Sequence, residues 1–268
     1  MKTKILAGQE LASFIKERQA REVSALKSQK ITPKLVIIRD SDNPVITKYV
    51  NLKINYGEDI GIIVKDQKVS TPAEAAAAIA AANADKSVHG IIVQLPLKDP
   101  AATDSIVKNI AKEKDVDGLS GQGDFDSATA TSINWLLAGH NIDLNHKKIA
   151  IVGKGRLVGA PLIKMWQASG YNITAFDHSS DLTELNQYDI FITATGQPHL
   201  ISDDMVRPGV ILVDAGTASE DGRLVGDIDD AVRESPNVSA ITPKIGGVGP
   251  LTVSVLFENV ITSSKKAS

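Results

Sequence analysis

The chain has 268 residues, of which 43% are hydrophobic and 23% are charged, a composition typical of globular proteins and a length that suits two domains. Its formal net charge of −3 provides no basic surface for a phosphate backbone, and its lack of cysteine excludes disulfides, thiol catalysis and thiolate-bound metals. No stretch approaches the ~18 apolar residues of a membrane span, and the N-terminal segment reads as an amphipathic helix rather than a secretory signal. We therefore expect a cytoplasmic protein that binds neither nucleic acid nor a membrane.

The first half of the chain alternates short β-branched runs with longer helical stretches, which is the pattern of βαβ units around a parallel sheet. The predicted elements are a strand at 35–39, a helix at 44–59, a strand at 61–65, a helix at 72–82, a strand at 88–97 and a helix at 101–113. Ser70 or Thr71 can cap the alanine-rich helix at 72–82, and Pro72 suits the first turn of that helix. Together they predict one α/β layer.

Residues 115–131 lose this periodicity and are rich in Gly, Ser, Asp and Thr, which is typical of a linker or an active-site loop. A helix at 132–139 and a second α/β unit follow, with predicted strands at 148–153, 172–177, 189–194, 210–214 and 237–241. The sequence therefore predicts two α/β domains, over 1–125 and 126–249. A last helix at 250–266 is expected to pack back on the first domain.

The clearest local signal is IAIVGKGRLVGAP at 149–161, where Gly153, Gly155 and Gly159 follow an apolar strand and open a predicted helix. Without a Cβ the backbone can approach a pyrophosphate, and the helix N-terminus supplies amide donors. The G-x-G-x-x-x-G spacing differs from the commonest dinucleotide fingerprint, so a turn that merely connects strand to helix stays open as an alternative. We favour a Rossmann-type nicotinamide dinucleotide site.

The residues near this turn leave the choice between NAD and NADP open. Asp177 ends the next predicted strand, where an acidic residue meets the ribose hydroxyls of NAD, although it is also compatible with a solvated acid. Lys154 in the turn and Ser179 after the strand could instead hold the extra phosphate of NADP. Gly196 in ITATGQP follows another strand, a position that lines the cofactor crevice in open α/β sheets.

Candidate polar groups in the first half are fewer. YVNLK places Tyr49 and Lys53 on one face of the predicted helix, where a lysine can act as a base if burial lowers its pKa, although most such pairs are surface packing. Gln94 ends an apolar strand, where a polar group usually faces a cleft. Asp117 in KDVDG is either part of an ordinary turn or a functional carboxylate.

Two further observations bear on ligands. PKIGGVGPLT at 243–252 packs glycines between two prolines, and such a loop is costly to order, which favours close contact with a ligand or another backbone. The five histidines show no spacing suited to metal ligation, so we expect no catalytic metal.

Taken in chain order, these motifs resemble those of the bifunctional methylenetetrahydrofolate dehydrogenase/methenyltetrahydrofolate cyclohydrolase family. The matching segments are YVNLK, VHGIIVQLPL, KDVDG, VGKGRLVGAP, DHS, ITATGQP, PGVILVDAG, GDID and ITPKIGGVGPLT. The resemblance implies a homodimeric enzyme of one-carbon metabolism and purine biosynthesis, with tetrahydrofolate bound in a cleft between an N-terminal α/β domain and an NADP-binding Rossmann domain. In such an enzyme, hydride passes from the methylene carbon to the nicotinamide, and water then opens the methenyl product to the formyl form.

The resemblance also implies roles for individual residues. Lys53 matches the lysine that handles the proton as water adds, Tyr49 the ring that stacks on the folate, and Gln94 the amide that orients the lysine. Asp117 matches the carboxylate that hydrogen-bonds the pterin. Further residues expected to bind substrate are Leu95, Pro96, Gly246, Gly247, Pro250 and Thr252. Those expected to bind the cofactor are Gly153, Lys154, Gly155, Arg156, Gly159, Asp177, Ser179, Gly196 and Thr217.

The chain departs from the family's pattern around the expected folate site. Ile46 stands where the family has a serine, SATATS at 127–132 replaces a Pro-Cys-Thr-Pro-x-Gly stretch after a shortened loop, and Lys244-Ile245 replaces Val-Pro. These changes leave three alternatives open: a member with only one of the two activities, a non-catalytic folate- or nucleotide-binding member, and a different dehydrogenase on the same plan. Retention of the lysine argues against loss of the hydrolytic step.

The cofactor follows from the resemblance in the same way. The resemblance implies NADP. NAD is the alternative, because Asp177 replaces a cysteine of the family and would repel a 2′-phosphate unless Lys154 offsets its charge.

Overall fold

The computed structural model describes residues 3–216, 218–220 and 223–267. The chain divides into two compact units. Met1–Ala12 and Thr129–Thr252 form one of them, called the six-stranded unit below, and Ser13–Ala128 and Val253–Ser268 form the other, called the three-stranded unit. Each unit is built on a parallel sheet with helices, which confirms the predicted α/β fold class.

The strands and helices follow the predicted rhythm along the chain. In order they are β1 (Lys4–Ile5), α1 (Gly8–Ser28), β2 (Lys34–Arg39), α2 (Pro44–Ile60), β3 (Ile63–Lys68), α3 (Pro72–Ala84), β4 (Gly90–Val93), α4 (Thr103–Val107), α5 (Ala128–Gly139), β5 (Ile149–Val152), α6 (Gly159–Ala168), β6 (Ile173–Phe176), β7 (Ile190–Thr193), β8 (Val210–Asp214), β9 (Ala218–Glu220), β10 (Arg223–Val225), α7 (Asp230–Arg233), β11 (Val238–Ile241) and α8 (Val248–Lys266). Among the described residues, no helix combines the length and the apolar composition needed to cross a membrane.

The three-stranded sheet has the order β3-β2-β4, with all strands parallel. Ile38 of β2 pairs with Val93 of β4, and the amide of Gln94 donates to the carbonyl of Ile38 (2.8 Å). The carboxyl ends of these two strands therefore lie side by side. Ligand sites of parallel sheets form at this edge, and it is where Gln94 emerges.

Helix α2 has a start and an end that its sequence explains. Asn43 accepts the amide hydrogen of Val45 (2.8 Å), and Pro44 occupies the first turn, where its missing N–H costs nothing. Gly61 ends the helix with φ 83°, in the left-handed region that glycine enters without strain. Because residue 61 belongs to this cap, the predicted strand at 61–65 begins only at Ile63.

The buried stripe of α2 determines which face carries its polar groups. Ile46, Val50 and Ile60 are buried, and Ile46 is a core residue at 7% exposure. Tyr49 and Lys53 lie on the adjacent, half-buried face, one turn apart. This places both side chains at the border between the core and solvent.

Helix α8 also contributes to the three-stranded unit. The side-chain amide of Asn259 donates to the carbonyl of Val116 (2.9 Å), and the hydroxyl of Ser263 donates to the carbonyl of Glu113 (2.8 Å). These bonds fix the backbone just before and within the KDVDG turn. The last helix thus supports the segment that carries Asp117.

The six-stranded sheet has the order β1-β11-β8-β7-β5-β6, and the pairs along it are parallel. Strand β5 has β6 on one side and β7 on the other, so the chain changes direction across the sheet at β5. In open α/β sheets this switch point forms a crevice at the carboxyl ends of the strands. The glycine turn at 153–159 follows β5 and so lies at that point.

Four elements differ from the sequence expectations. Strand β1 pairs with β11 but has only two residues, too few to show any periodicity. Strands β9 and β10 form an antiparallel pair that was not expected, although Asp221-Gly222 between them is a hairpin dipeptide. The helix predicted at 101–113 shrinks to α4, with 3₁₀ turns at Pro100–Ala102 and Lys112–Lys114. Beyond α4 the side chain of Asn83 bonds to the carbonyl of Asn109 (2.7 Å) and the amide of Ala111 (3.0 Å), which competes with continued helical pairing.

Two phenylalanines of the three-stranded unit provide a matched test of its core. Phe257 of α8 is 0% exposed and its ring stacks on Tyr56 at 4.9 Å, whereas Phe14 of α1 is 72% exposed. We expect Phe257→Ala to lower the free energy of unfolding by about 3–5 kcal/mol, because it leaves a cavity. Phe14→Ala should change it by less than about 0.5 kcal/mol.

Urea unfolding followed by circular dichroism measures both variants against the wild-type chain. Equal effects of the two substitutions would contradict the assignment of Phe257 to the core.

Candidate active site

The three-stranded unit brings together Lys53, Gln94 and Asp117, which were singled out from the sequence. Lys53 of α2 donates from Nζ to Oε1 of Gln94 (2.8 Å), which follows β4. The same amide donates from Nε2 to the carbonyl of Leu95 (3.1 Å), so its oxygen is held toward the ammonium. Leu95 and Pro96 continue the chain through a cis peptide bond.

The electrostatics of this cluster are set by burial. Burial lowers the pKa of Lys53, and the nearby carboxylate of Asp117 opposes that shift. Burial raises the pKa of Asp117 to about 6, with Lys53 opposing and Asp115 reinforcing the rise. Desolvation therefore pushes both groups toward their neutral forms. A lysine in this state can exchange a proton nearer to neutral pH than an exposed lysine can.

The two aspartates of KDVDG have different tasks. Asp115 is fully buried and accepts the amide hydrogens of Leu119 (3.3 Å) and Ser120 (2.9 Å). Gly118 takes φ 67°, and a Cβ there would come within 2.6 Å of the backbone carbon of Asp126. Asp115 and Gly118 therefore build the turn, which leaves Asp117 as the carboxylate that interacts with Lys53.

The glycine turn after β5 separates into structural and open positions. Gly153 has φ 101°, and a Cβ there would lie 2.6 Å from the carbonyl oxygen of Ala194. At Gly159, the first residue of α6, a Cβ would overlap the carbonyl oxygen of Gly153. Gly155 is exposed, and a Cβ at this position would have no atom within 4 Å of it. Packing thus explains Gly153 and Gly159, while Gly155 leaves room for a ligand.

A polar cluster lies beside this turn at the carboxyl end of β6. Asp177 accepts from Lys154 Nζ (2.8 Å) and from both the amide (3.0 Å) and the hydroxyl (2.6 Å) of Ser179. The Lys154 ammonium and the Ser179 donors hold the pKa of Asp177 well below its usual range. Asp177 is therefore ionised, and it already pairs with the lysine that could receive a 2′-phosphate. Arg156 is exposed in the same turn.

Residues of the last glycine-rich loop lie in the six-stranded unit. Gly246 has φ 88° and accepts the amide hydrogen of Gly8 (2.8 Å), and a Cβ on Gly8 would overlap the carbonyl oxygen of Gly247. The Thr252 hydroxyl lies 3.1 Å from that of Ser132. Close backbone approach to the start of α1 thus explains part of the glycine content. Pro250 is in the first turn of α8, and Thr217 lies outside the described residues.

Two aspartates at the carboxyl edge of the six-stranded sheet escaped the sequence analysis. Asp227, just before α7, is buried, and Asp214, which ends β8, has a side chain that is only 4% exposed. Their motifs, VDAG and GDID, supported the resemblance, but no role was expected for the acids. An aspartate directly after an apolar strand was the signal available for Asp214.

Two family models together match nearly the whole chain. "Tetrahydrofolate dehydrogenase/cyclohydrolase, catalytic domain" matches residues 6–117, and "Tetrahydrofolate dehydrogenase/cyclohydrolase, NAD(P)-binding domain" matches residues 127–268. The second match confirms the predicted nicotinamide dinucleotide site in the C-terminal half at the level of the domain. The roles of individual residues stay predictions.

Similar proteins cover the chain from end to end. "Bifunctional protein FolD 2" of Lactobacillus johnsonii is 36% identical over 280 residues, 98% of each chain, and "Bifunctional protein FolD" of Bacillus subtilis is 35% identical over 282 residues, 99% of each chain. The crystal structure of the bifunctional methylenetetrahydrofolate dehydrogenase/cyclohydrolase from Campylobacter jejuni has a TM-score of 0.92 and 36% identity, with 99% of each chain covered. The Trypanosoma brucei enzyme, complexed with NADP and an inhibitor, also has a TM-score of 0.92, with 26% identity over 99% of this chain and 98% of that chain.

Two glycines of the turn after β5 provide opposite expectations. Gly155→Ala should leave stability within about 0.5 kcal/mol of wild type, because its Cβ meets open space, but should weaken NAD(P)⁺ binding. Gly159→Ala should lower the free energy of unfolding by about 1–3 kcal/mol, because the added Cβ would collide with the backbone. Thermal unfolding and calorimetric titration with NAD(P)⁺ measure the two effects. Wild-type affinity in the Gly155→Ala variant would remove Gly155 from the site.

Proposed function

Because this chain belongs to the tetrahydrofolate dehydrogenase/cyclohydrolase family, as the resemblance indicated, we propose that it catalyses both reactions of that family. It oxidises methylenetetrahydrofolate to methenyltetrahydrofolate with NAD(P)⁺, and it hydrolyses the methenyl form to formyltetrahydrofolate. The observation that carries the proposal is the half-buried Lys53, bonded to Gln94 and next to Asp117, within the segment that matches the catalytic-domain model.

Lys53 is suited to the hydrolytic step. Addition of water to the cationic methenyl carbon forms a C–O bond and releases a proton, which a neutral lysine can accept. The resulting ammonium can return that proton to the ring nitrogen as the C–N bond breaks, and the hydroxyl proton of the water adduct passes to solvent as the formyl C=O bond forms. The lowered pKa of Lys53 makes its neutral form accessible, and Gln94 holds Nζ in one position.

Asp117 is suited to recognise the pterin edge of the substrate. An ionised carboxylate accepts two parallel N–H donors, and the interaction is strong in a desolvated site. With its pKa raised to about 6, Asp117 is still mostly ionised at neutral pH. Tyr49, one turn before Lys53 on α2, supplies a ring on which a flat heterocycle can stack.

The hydride acceptor is NAD(P)⁺, which supplies the redox chemistry when it is bound. The residues that fit it are those of the glycine turn, since Gly155 leaves open space at the N-terminal end of α6. The chain's own contribution is to bind and orient the dinucleotide. We further propose that residues 1–125 carry the folate chemistry and residues 126–249 the cofactor site, a division supported by the two matched models.

NADP remains the expected cofactor, and the pair of Lys154 with Asp177 is the feature that favours NAD. The homodimer and the cytoplasmic setting expected from the sequence also remain predictions. Light scattering on the purified chain tests the dimer.

The direct experiment mixes purified protein with methylenetetrahydrofolate and either NADP⁺ or NAD⁺, and records the absorbance of reduced cofactor and of the methenyl form. Hydrolysis of methenyltetrahydrofolate is followed separately, without cofactor. Both activities are expected. Cofactor reduction without hydrolysis, or the reverse, would assign the chain a single activity, and the absence of both would overturn the proposal.

Lys53→Met is expected to lower cyclohydrolase turnover by about 10²–10⁴-fold, because methionine keeps the length of the side chain but cannot carry a proton. Cofactor binding should not change. Lys48→Met is the matched control, since Lys48 is exposed on the same helix. Turnover of methenyltetrahydrofolate measures both variants, and near-normal hydrolysis by Lys53→Met would remove Lys53 from the mechanism.

Asp177→Ser should raise the ratio of kcat/KM for NADP⁺ to that for NAD⁺, because it removes the ionised carboxylate and releases Lys154 to pair with a 2′-phosphate. Lys154→Met is expected to move the ratio the other way. Steady-state kinetics with both cofactors give the ratio, and an unchanged value in both variants would show that this pair does not face the ribose.

A further inference from the structure

Two carboxylates and an arginine form a cluster at the carboxyl edge of the six-stranded sheet. Asp214 ends β8, Asp227 lies before α7, and Arg233 belongs to α7. Arg233 donates to Asp214 Oδ2 (2.6 Å) and to the carbonyl of Thr242 (2.7 Å). These contacts tie β8 to the end of β11.

Asp214 is satisfied by its surroundings. Besides Arg233, its carboxylate accepts the amide hydrogens of Gly216 (3.2 Å) and Asp227 (3.1 Å). A Cβ on Gly226 would overlap this carboxylate, so the two turns pack in direct contact. These hydrogen bonds and the ion pair with Arg233 compensate for the burial of the Asp214 carboxylate, so its presence is explained by the fold.

Asp227 has no such explanation. The residue is 0% exposed, its Oδ2 accepts the amide hydrogen of Thr195 (2.7 Å), and its Oδ1 has no hydrogen-bond partner among the described residues. Burial raises the pKa of Asp227, the amide and hydroxyl of Thr195 oppose that shift, and Asp214 reinforces it. A buried carboxylate with an unmatched oxygen destabilises the fold, so its presence points to a requirement other than stability.

The group that Asp227 holds is the turn beside the proposed cofactor site. Thr195 lies between Ala194 and Gly196, which has φ 68°. A Cβ on Gly153 would lie 2.6 Å from the carbonyl oxygen of Ala194 and 3.2 Å from Cγ2 of Thr195, so this turn packs on the glycine turn after β5. On its other side, a Cβ on Gly216 would overlap the Asp227 carboxylate.

We propose that Asp227 is a positioning residue of the NAD(P) site, whose carboxylate fixes the turn at Ala194–Gly196 and, through it, the glycine turn that receives the dinucleotide. The inference rests on the proposed function of this unit, and it goes beyond that function by assigning a role to a residue that does not itself contact the cofactor. Asp227 acts on this turn through the amide of Thr195 (2.7 Å), and the hydroxyl of Thr195 and the amide of Gly196 also stabilise its charged form.

The test compares Asp227→Ala and Asp227→Asn with Asp230→Ala, a nearby aspartate that is 59% exposed and pairs with Lys244. Asparagine keeps an oxygen for the amide of Thr195, and alanine does not. Asp227→Ala should raise the Kd and KM of NAD(P)⁺ about tenfold or more, whereas Asp227→Asn should stay within about threefold of wild type. Cyclohydrolase turnover measured without cofactor should be unchanged in all three variants, and Asp230→Ala should bind cofactor normally.

Calorimetric titration with NADP⁺ and NAD⁺ gives Kd without relying on turnover. Equal affinities of wild type and Asp227→Ala would overturn the inference alone, and no binding of either cofactor to wild type would overturn the proposed function together with it. If Asp227→Ala does not fold, Asp227→Leu restores the buried volume without an acceptor. Failure of that variant to fold as well would assign Asp227 a purely structural role and overturn the inference.

Discussion

An ionisable group buried away from water must be paired or lose its charge, and both units of this chain place such groups at the carboxyl ends of parallel strands. In the three-stranded unit the group is Lys53, whose ammonium meets the oxygen of Gln94 and the field of Asp117. The half-buried face of α2 determines that position, and the end of β4 supplies its partner. The reactivity proposed for Lys53 therefore depends on its place at the border of the buried stripe of α2. A lysine on the solvent-exposed face of the helix would keep the usual pKa of a lysine.

The same constraint acts in the six-stranded unit, at the carboxyl ends of β7 and β8. Here the buried charges are carboxylates, and backbone amides rather than side chains provide most of their partners. Amide donors in turns are fixed by the chain, so each carboxylate that accepts them also fixes the turn. This explains why Gly216 and Gly226 lie against Asp227 and Asp214: a side chain at either glycine would separate the acid from the turn that it holds.

The fold class and the shared helix face of Tyr49 and Lys53 could be predicted because both depend on patterns with a clear period, whereas the role of Lys53 came from the resemblance and stays a prediction. Alternating strands and helices identified the sheets, and the helical spacing of Tyr49 and Lys53 placed them on one face. Strand β1 and the β9–β10 pair escaped prediction, since two or three residues carry no periodicity. Asp227 escaped because its significance lies in a contact across 32 residues of sequence with Thr195, which no local pattern records.

The exposed pair of Lys154 and Asp177 behaves differently from the buried groups. Its side chains are 46% and 29% exposed, so water competes for both charges and the pair contributes little to stability. A weak pair can exchange partners, and a lysine that leaves Asp177 for a 2′-phosphate loses little in doing so. The half-buried Lys53 has less freedom, since separating it from Gln94 would leave a partly desolvated ammonium without its partner. Under the proposed function, cofactor choice therefore depends on a few surface charges, whereas desolvation and the bond to Gln94 hold the lysine in one arrangement.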